Sequence, residues 1–209
     1  MPSSPAAAAP RLRIATPDDA AAIRDIYAPS ITDSVISFEA VVPSTAEMRS
    51  RISSTLAGTP WLVCERAGAV VGYAYASKHQ ARAAYQWSAD ASVYVSAAAR
   101  RLGAGRSLYT ALFTLIRLQG YRAVHAGITL PNAASVGLHE AFGFVPIGVY
   151  PKVGYKHGAW HPVGWWQLEL APRDGAPEPI LPWPALLEAA GETVARALET
   201  AAHSSSSMK

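Results

Sequence analysis

The sequence predicts an α/β or α+β domain of three layers, with helices flanking a mixed sheet. Apolar runs of strand length alternate with segments of helical periodicity along most of the chain. Proline, glycine and capping signals fall between those runs, where such a chain turns. Half of the 209 residues are hydrophobic, enough to bury one sizeable core.

Residues 12–15 read as a first strand. Thr16-Pro17-Asp18-Asp19 supplies an N-cap with proline at the first helical position, and Ala21, Ala22, Ile23, Ile26 and Tyr27 continue a helix that stops near Pro29. Ser44 and Glu47 make a Ser-x-x-Glu capping box, which opens a second helix ending near Leu56. Residues 60–66 and 70–77 pair as a hairpin across Ala67-Gly68-Ala69. Residues 87–95 are a strand ending in Val93-Tyr94-Val95. Leu108, Ala111, Leu112, Leu115, Leu118 and Gln119 then follow one helical face. Residues 121–128 form a buried strand; Pro131-Asn132 starts the next helix and Gly143 stops it. Residues 145–153 and 159–170 are two more strands. Past them, residues 172–179 have linker composition, and residues 184–202 suit an amphipathic helix with Leu186, Leu187, Val194 and Leu198 on one side. Residues 1–10 and the stretch from Ser204 to Lys209 are expected to be disordered. The expected organisation is a folded domain over 11–170 followed by a tail, 171–209, whose default is packing against it.

Between the strand of Val93-Tyr94-Val95 and its helix lies Arg100-Arg101-Leu102-Gly103-Ala104-Gly105-Arg106. A strand–turn–helix junction of this kind aims backbone N–H groups and a positive dipole end at one point, an anion site. Arg100, Arg101 and Arg106 add charge suited to phosphate oxygens. The turn lacks the Gly-Lys-Ser/Thr ending of a nucleotide-hydrolase loop, and Leu108 stands where a dinucleotide loop has its third glycine.

What remains, Arg-x-x-Gly-x-Gly from Arg100 to Gly105, resembles the coenzyme A pyrophosphate turn of GCN5-related N-acetyltransferases. The helix that starts at Asn132 and ends in Phe142-Gly143-Phe144 is a second match. Gly127 to Asn132, Ser135 to Ala141, Tyr155 to Gln167, Ala81 to Tyr85 and Ser37-Phe38-Glu39 resemble the phosphinothricin and methionine sulfoximine N-acetyltransferases. The similarity spans about residues 11–170.

The resemblance implies a mixed, mostly antiparallel central sheet and direct acetyl transfer from acetyl-coenzyme A to a small-molecule amine. Val93, Tyr94 and Val95 would hold the pantetheine arm through backbone groups, Arg100 to Arg106 the pyrophosphate, and Asn132 and Ser135 the pantetheine again. The subfamily's base is a glutamate on the strand before the turn; here that position is Asp90, one methylene shorter. His139 is a rival base, because its pKa suits proton transfer. Tyr109 matches the tyrosine that protonates the leaving thiolate. Arg82, with Lys78 second, would grip an anionic acceptor, and Phe38, Tyr85 and Trp87 would wall its pocket. His157 and His161 fit substrate-side, subunit-contact or structural roles. Other acceptors, or a coenzyme A-binding module without chemistry, remain open, because specificity resides in loops. No metal is expected, and a homodimer is.

A net charge of +3 with scattered arginines shows no nucleic-acid footprint. Cys64, the single cysteine, rules out an intramolecular disulfide and fits a reducing compartment. Residues 1–10 lack a signal peptide's basic start, and no run of 18 uncharged apolar residues occurs, so a cytoplasmic protein is expected.

Overall fold

The computed structural model describes residues 10–204. The two segments expected to be disordered lie outside them, except for Pro10, which is buried, and Ser204, which ends the last helix.

Seven strands form one sheet in the order β1-β2-β3-β4-β5-β7-β6. They are β1 (Arg11–Ile14), β2 (Trp61–Arg66), β3 (Ala69–Lys78), β4 (Ser88–Val95), β5 (Ala123–Thr129), β6 (Val145–Lys156) and β7 (Ala159–Glu169). Every neighbouring pair is antiparallel except β4 and β5, which run parallel. The helices are α1 (Ala20–Thr32), α2 (Thr45–Leu56), α3 (Ala104–Leu118), α4 (Ala133–Glu140) and α5 (Trp183–Ser204).

Side chains alternate across a strand, so each inner strand feeds two cores. On one face Trp61, Val63 and Tyr73 pack with Ile23 and Tyr27 of α1 and Met48 and Ile52 of α2. On the other, Leu62, Cys64, Ala74 and Ala91 pack with Leu108, Leu112 and Leu115 of α3 and Trp183, Leu186 and Leu198 of α5. Burial pushes the Cys64 thiol up to about 11, so it packs as a small apolar residue and does not react.

Two local expectations shift. Pro17–Asp19 is a 3-10 turn, with Thr16 and Asp19 exchanging capping bonds, and α1 follows it. That helix runs through Pro29 to Thr32, because Ile31 is buried and Asp33 N–H caps Pro29 C=O. The end of α4 behaves as its sequence suggests: Gly143 takes φ +88°, and Phe144 N–H returns to His139 C=O.

Candidate active site

The central strands part. β4 and β5 pair only from Ser88↔Ala123 to Asp90↔His125. Beyond Asp90, β4 stays with β3 as far as Val95↔Gly72, and β5 stays with β7 as far as Thr129↔Val163. A cleft opens between them, lined by Ser92, Val93, Tyr94, Gly127, Thr129 and Asn132. Backbone direction alternates along a strand. Trp87 C=O accepts from Arg122 N–H on the β5 side, whereas Ser96 N–H donates to Val71 C=O on the β3 side. Ala91, Val93 and Val95 therefore turn their N–H and C=O groups into the cleft. The Val93 and Val95 side chains point under α3, and Tyr94 stacks on Tyr73 with its centroid 5.3 Å away. The cleft edge of β4 is thus presented as backbone.

At its foot is the basic turn. A 3-10 turn at Ala97–Ala99 leads to Arg101 at φ +61° and Gly103 at φ +84°, and α3 begins at Ala104. Only glycine holds the Gly103 geometry without strain. Arg66 Nη2 donates to Leu102 C=O at 2.6 Å and pins the turn to β2. The helix's own bonding starts with Ser107 N–H to Gly103 C=O, so the N–H groups of Ala104, Gly105 and Arg106 project beyond its end. With the helix dipole behind them, they suit an anion. A Cβ on Gly105 would meet its nearest neighbours at 3.7 Å, ordinary contact, so the fold alone does not require glycine there. Arg100 and Arg101 are exposed, and Arg106 lies 5.7 Å over the Phe142 ring.

Tyr109 and His139 form a buried pair on the cleft wall. Tyr109 Oη is 3.0 Å from His139 Nε2, and His139 Nδ1 is 2.7 Å from Ser135 C=O. A carbonyl only accepts, so the imidazole carries its hydrogen on Nδ1 and accepts a hydrogen bond from the Tyr109 hydroxyl at Nε2. Burial holds the phenol well above its ordinary pKa and the imidazole below 6.5. The lowered imidazole has a consequence for stability. An unfolded histidine binds its proton from about pH 6.5 downward, before the folded one does, so the folded state loses stability as pH falls through that range. In urea melts, the stability difference between wild type and His139→Gln should be widest near pH 7.5 and narrow below pH 6.5. A gap independent of pH would show that His139 titrates alike in both states.

Asp90 is the direct cross-strand partner of His125 on β5 and of Ser77 on β3. Its Oδ1 lies 2.7 Å from His79 Nδ1, and the His79 and His125 rings stack at 4.0 Å. Burial raises the Asp90 carboxyl above the ordinary aspartate range, against the lowering effect of His79. Trp165, 6.0 Å from His79, forms one wall of an apolar pocket of about 330 Å³ that includes Ile36, Phe38, Thr129, Tyr150 and Val163. Lys156 Nζ on Ser37 C=O (2.6 Å) and the Tyr27 hydroxyl on Ser37 Oγ (2.7 Å) fix the loop that carries Phe38.

The structure brings together at the cleft Val93, Tyr94, Tyr109, Asn132, Ser135 and His139, with Phe38 over the adjoining pocket. Asn132 Oδ1 is occupied by Ser135 N–H at 3.1 Å, capping α4. Tyr85 lies 6.4 Å from His79, and Arg82 is exposed three residues before it. Two expected pocket residues are elsewhere. Lys78 is paired with Ala89, whose side chain is in the core under α3, so it projects from the opposite face of the sheet to Asp90. Trp87 Nε1 donates to Glu178 C=O at 2.8 Å and anchors the linker instead. His157 and His161 have backbone carbonyls of Ser34 and Lys156 as partners. Sequence reasoning missed His79, His125 and Trp165. Only the register of β3, β4, β5 and β7 puts them beside Asp90.

Among the described residues no helix is long and apolar enough to cross a membrane. Residues 12–165 match the model of an acetyltransferase (GNAT) domain. The chain is 41% identical over 171 residues to a phosphinothricin N-acetyltransferase of Streptomyces viridochromogenes, covering 82% of this chain and 93% of that one. It is 32% identical to an L-methionine sulfoximine/L-methionine sulfone acetyltransferase of Salmonella typhimurium, covering 76% and 94%. The crystal structure of a GNAT superfamily phosphinothricin acetyltransferase from Sinorhizobium meliloti in complex with AcCoA superposes with a TM-score of 0.79 at 34% identity, over 85% of this chain and 98% of that one.

Proposed function

The chain belongs to the GNAT acetyltransferase family, and we propose that it acetylates the α-amine of a phosphinothricin-like or methionine sulfoximine-like amino acid. Acetyl-coenzyme A is the acetyl donor. One observation carries the reading: the parting of β4 and β5 above the N-terminus of α3, with an apolar pocket beside Asp90. The residues fit the donor. The cleft edge of β4 supplies amide partners for a pantetheine arm, and the end of α3, with Arg100 and Arg101, suits a pyrophosphate. Gly105, free of any packing need for glycine, leaves room for close approach.

In the ternary complex, the Val95 N–H is the candidate to hold the thioester oxygen as charge develops. Asp90 accepts the amine proton. His79 occupies its Oδ1, which leaves Oδ2 for the substrate. Tyr109 is the acid for the leaving thiolate: its hydroxyl proton leaves its hydrogen bond to His139 Nε2 for the sulfur, and the phenolate is reprotonated once coenzyme A has left. His139 acts through Tyr109: both of its ring nitrogens are committed, so it positions the phenol and is not the base.

Arg82 contacts the acceptor's anionic end, as a guanidinium grips phosphinate or carboxylate bidentately. Arg82→Ala should raise the acceptor KM at least about tenfold with kcat little changed. An unchanged KM would remove Arg82 from the site.

The long edge strand β6 exposes Val145, Ile147, Val149, Tyr150, Val153 and Tyr155, each at least half accessible. Such a row on an open edge favours a second copy as its cover, and we assign the protein as a homodimer. Light scattering should return about twice 22.1 kDa, and a 22.1 kDa species would overturn the assignment. The cytoplasm, which supplies acetyl-coenzyme A, is the proposed location.

Thiol release from acetyl-coenzyme A, measured with phosphinothricin, methionine sulfoximine and a panel of ordinary amino acids and amines, tests the acceptor. Turnover confined to the first two is the expected result. Turnover elsewhere would reassign the acceptor, and silence across the panel with coenzyme A still bound would overturn the catalytic reading.

A further inference from the structure

We propose that His79, Asp90 and His125 form a site for one divalent transition-metal ion, with zinc as its representative. The site arises from strand register. Asp90 lies directly opposite His125 on β5 and Ser77 on β3, and His79 follows Ser77 by two residues. Three neighbouring chain segments therefore bring two imidazoles and a carboxylate to the same face of the sheet. One ligand atom from each lies within 4.8 Å of the other two. His79 Nδ1 is already 2.7 Å from Asp90 Oδ1, and the two rings stack at 4.0 Å with planes 15° apart. His125 is buried at 8% exposure; its ring lies against the Gln167 side chain and the Ala89 backbone, and its Nδ1 makes no hydrogen bond of good geometry. An unpaired buried nitrogen is costly, and a metal ion would satisfy it.

The donor set selects the ion. Two imidazoles and one carboxylate suit zinc, cobalt, nickel or copper; magnesium and calcium prefer all-oxygen shells. Tetrahedral zinc, with bonds of about 2.0–2.1 Å, needs its ligand atoms about 3.3 Å apart. The three donors, now within 4.8 Å of one another, must close to that spacing, and the stacked imidazole planes must tilt toward the ion as it binds. Three protein ligands leave a fourth position, as open zinc sites do. Occupancy has a consequence that rests on Asp90 being the base: the ion takes the carboxylate from the amine and stops acetyl transfer.

The test uses untagged full-length protein stripped with chelator. Cobalt is titrated by its visible ligand-field bands, and zinc by competition with a chromophoric chelator. One ion per chain is expected, with millimolar magnesium unable to displace it. His79→Gln and His125→Val should each weaken zinc at least about tenfold, and His161→Gln should leave zinc binding unchanged. Circular dichroism verifies that each variant is folded. Zinc affinity equal to wild type in both His79→Gln and His125→Val, or no stoichiometric binding at micromolar zinc, would overturn the site. Thiol release should fall in step with zinc occupancy and return with chelator. Zinc bound at full occupancy with thiol release intact would support the metal site and remove Asp90 as base. Zinc binding in a protein that never acetylates would sink the catalytic reading and leave the site standing.

Discussion

Asp90→Asn lowers kcat/KM for acetyl transfer by about a hundredfold or more, while coenzyme A binding and thermal stability change little. General-base catalysis contributes about 10²–10⁴-fold, and asparagine keeps the shape of the side chain while losing its basicity. The substitution spares the proposed cofactor contacts, because the cleft edge assigned to pantetheine is the backbone of residues 91–95, beyond Asp90 on β4. The His79 ring still has an oxygen to donate to, so the local geometry persists. Steady-state kinetics with saturating acetyl-coenzyme A reads the effect. A fall of less than about threefold would mean that the amine loses its proton elsewhere. His139→Ala provides the contrast. It frees the Tyr109 hydroxyl from Nε2 and, on the role proposed for Tyr109, alters thiolate protonation, so its defect should shrink with an acetyl donor whose thiol is more acidic, and that of Asp90→Asn should not.

Deletion of residues 172–209 unfolds the protein at ordinary temperature. The matched family domain ends at residue 165, which would suggest a dispensable tail, yet α5 completes a core. Trp183, Leu186, Val194 and Leu198 are buried against the α3 side of the sheet. Burial of four such side chains contributes about 1.5–3 kcal/mol each, together roughly 6–12 kcal/mol. That rivals the whole stability of a domain, about 5–15 kcal/mol. Gln119 Nε2 adds bonds to Gly58 C=O (2.9 Å) and Leu181 C=O (2.8 Å), tying the approach to α5 to the α2–β2 connection. Urea melts of the deletion against the full chain check this. A deletion that stays folded with a midpoint near wild type would show that α5 is an ornament. Val194→Ala with Leu198→Ala gives a graded version, expected to cost several kcal/mol without loss of fold.

Part of the site was legible in the chain because its signals are local. The Arg100 to Gly105 spacing and the helical periodicity behind it lie within one turn and one helix, so neighbouring residues specify them. The Asn132 cap and the Gly143 stop are equally local, and the structure bears out both. Asp90 and Tyr109 were singled out through motifs that carry position along the chain. Lys78 and Trp87 were misplaced because their proximity to Arg82 in sequence says nothing about which face of a strand they occupy. One step along a strand reverses the face, and Lys78 is one step past Ser77, the partner of Asp90.

The sequence alone therefore determined the mixed sheet with its flanking helices, the basic glycine turn at the start of α3 and the acetyltransferase resemblance, because period, caps, turn chemistry and short motifs act over a few residues. Tertiary structure decided the rest. Parallel pairing that stops at Asp90 opens the cleft, and register across three strands gathers His79, Asp90 and His125. The bond between Tyr109 and His139 joins residues thirty apart in the chain, and α5 folds back over α3. These depend on long-range packing and strand register, which no local pattern of residues encodes by itself.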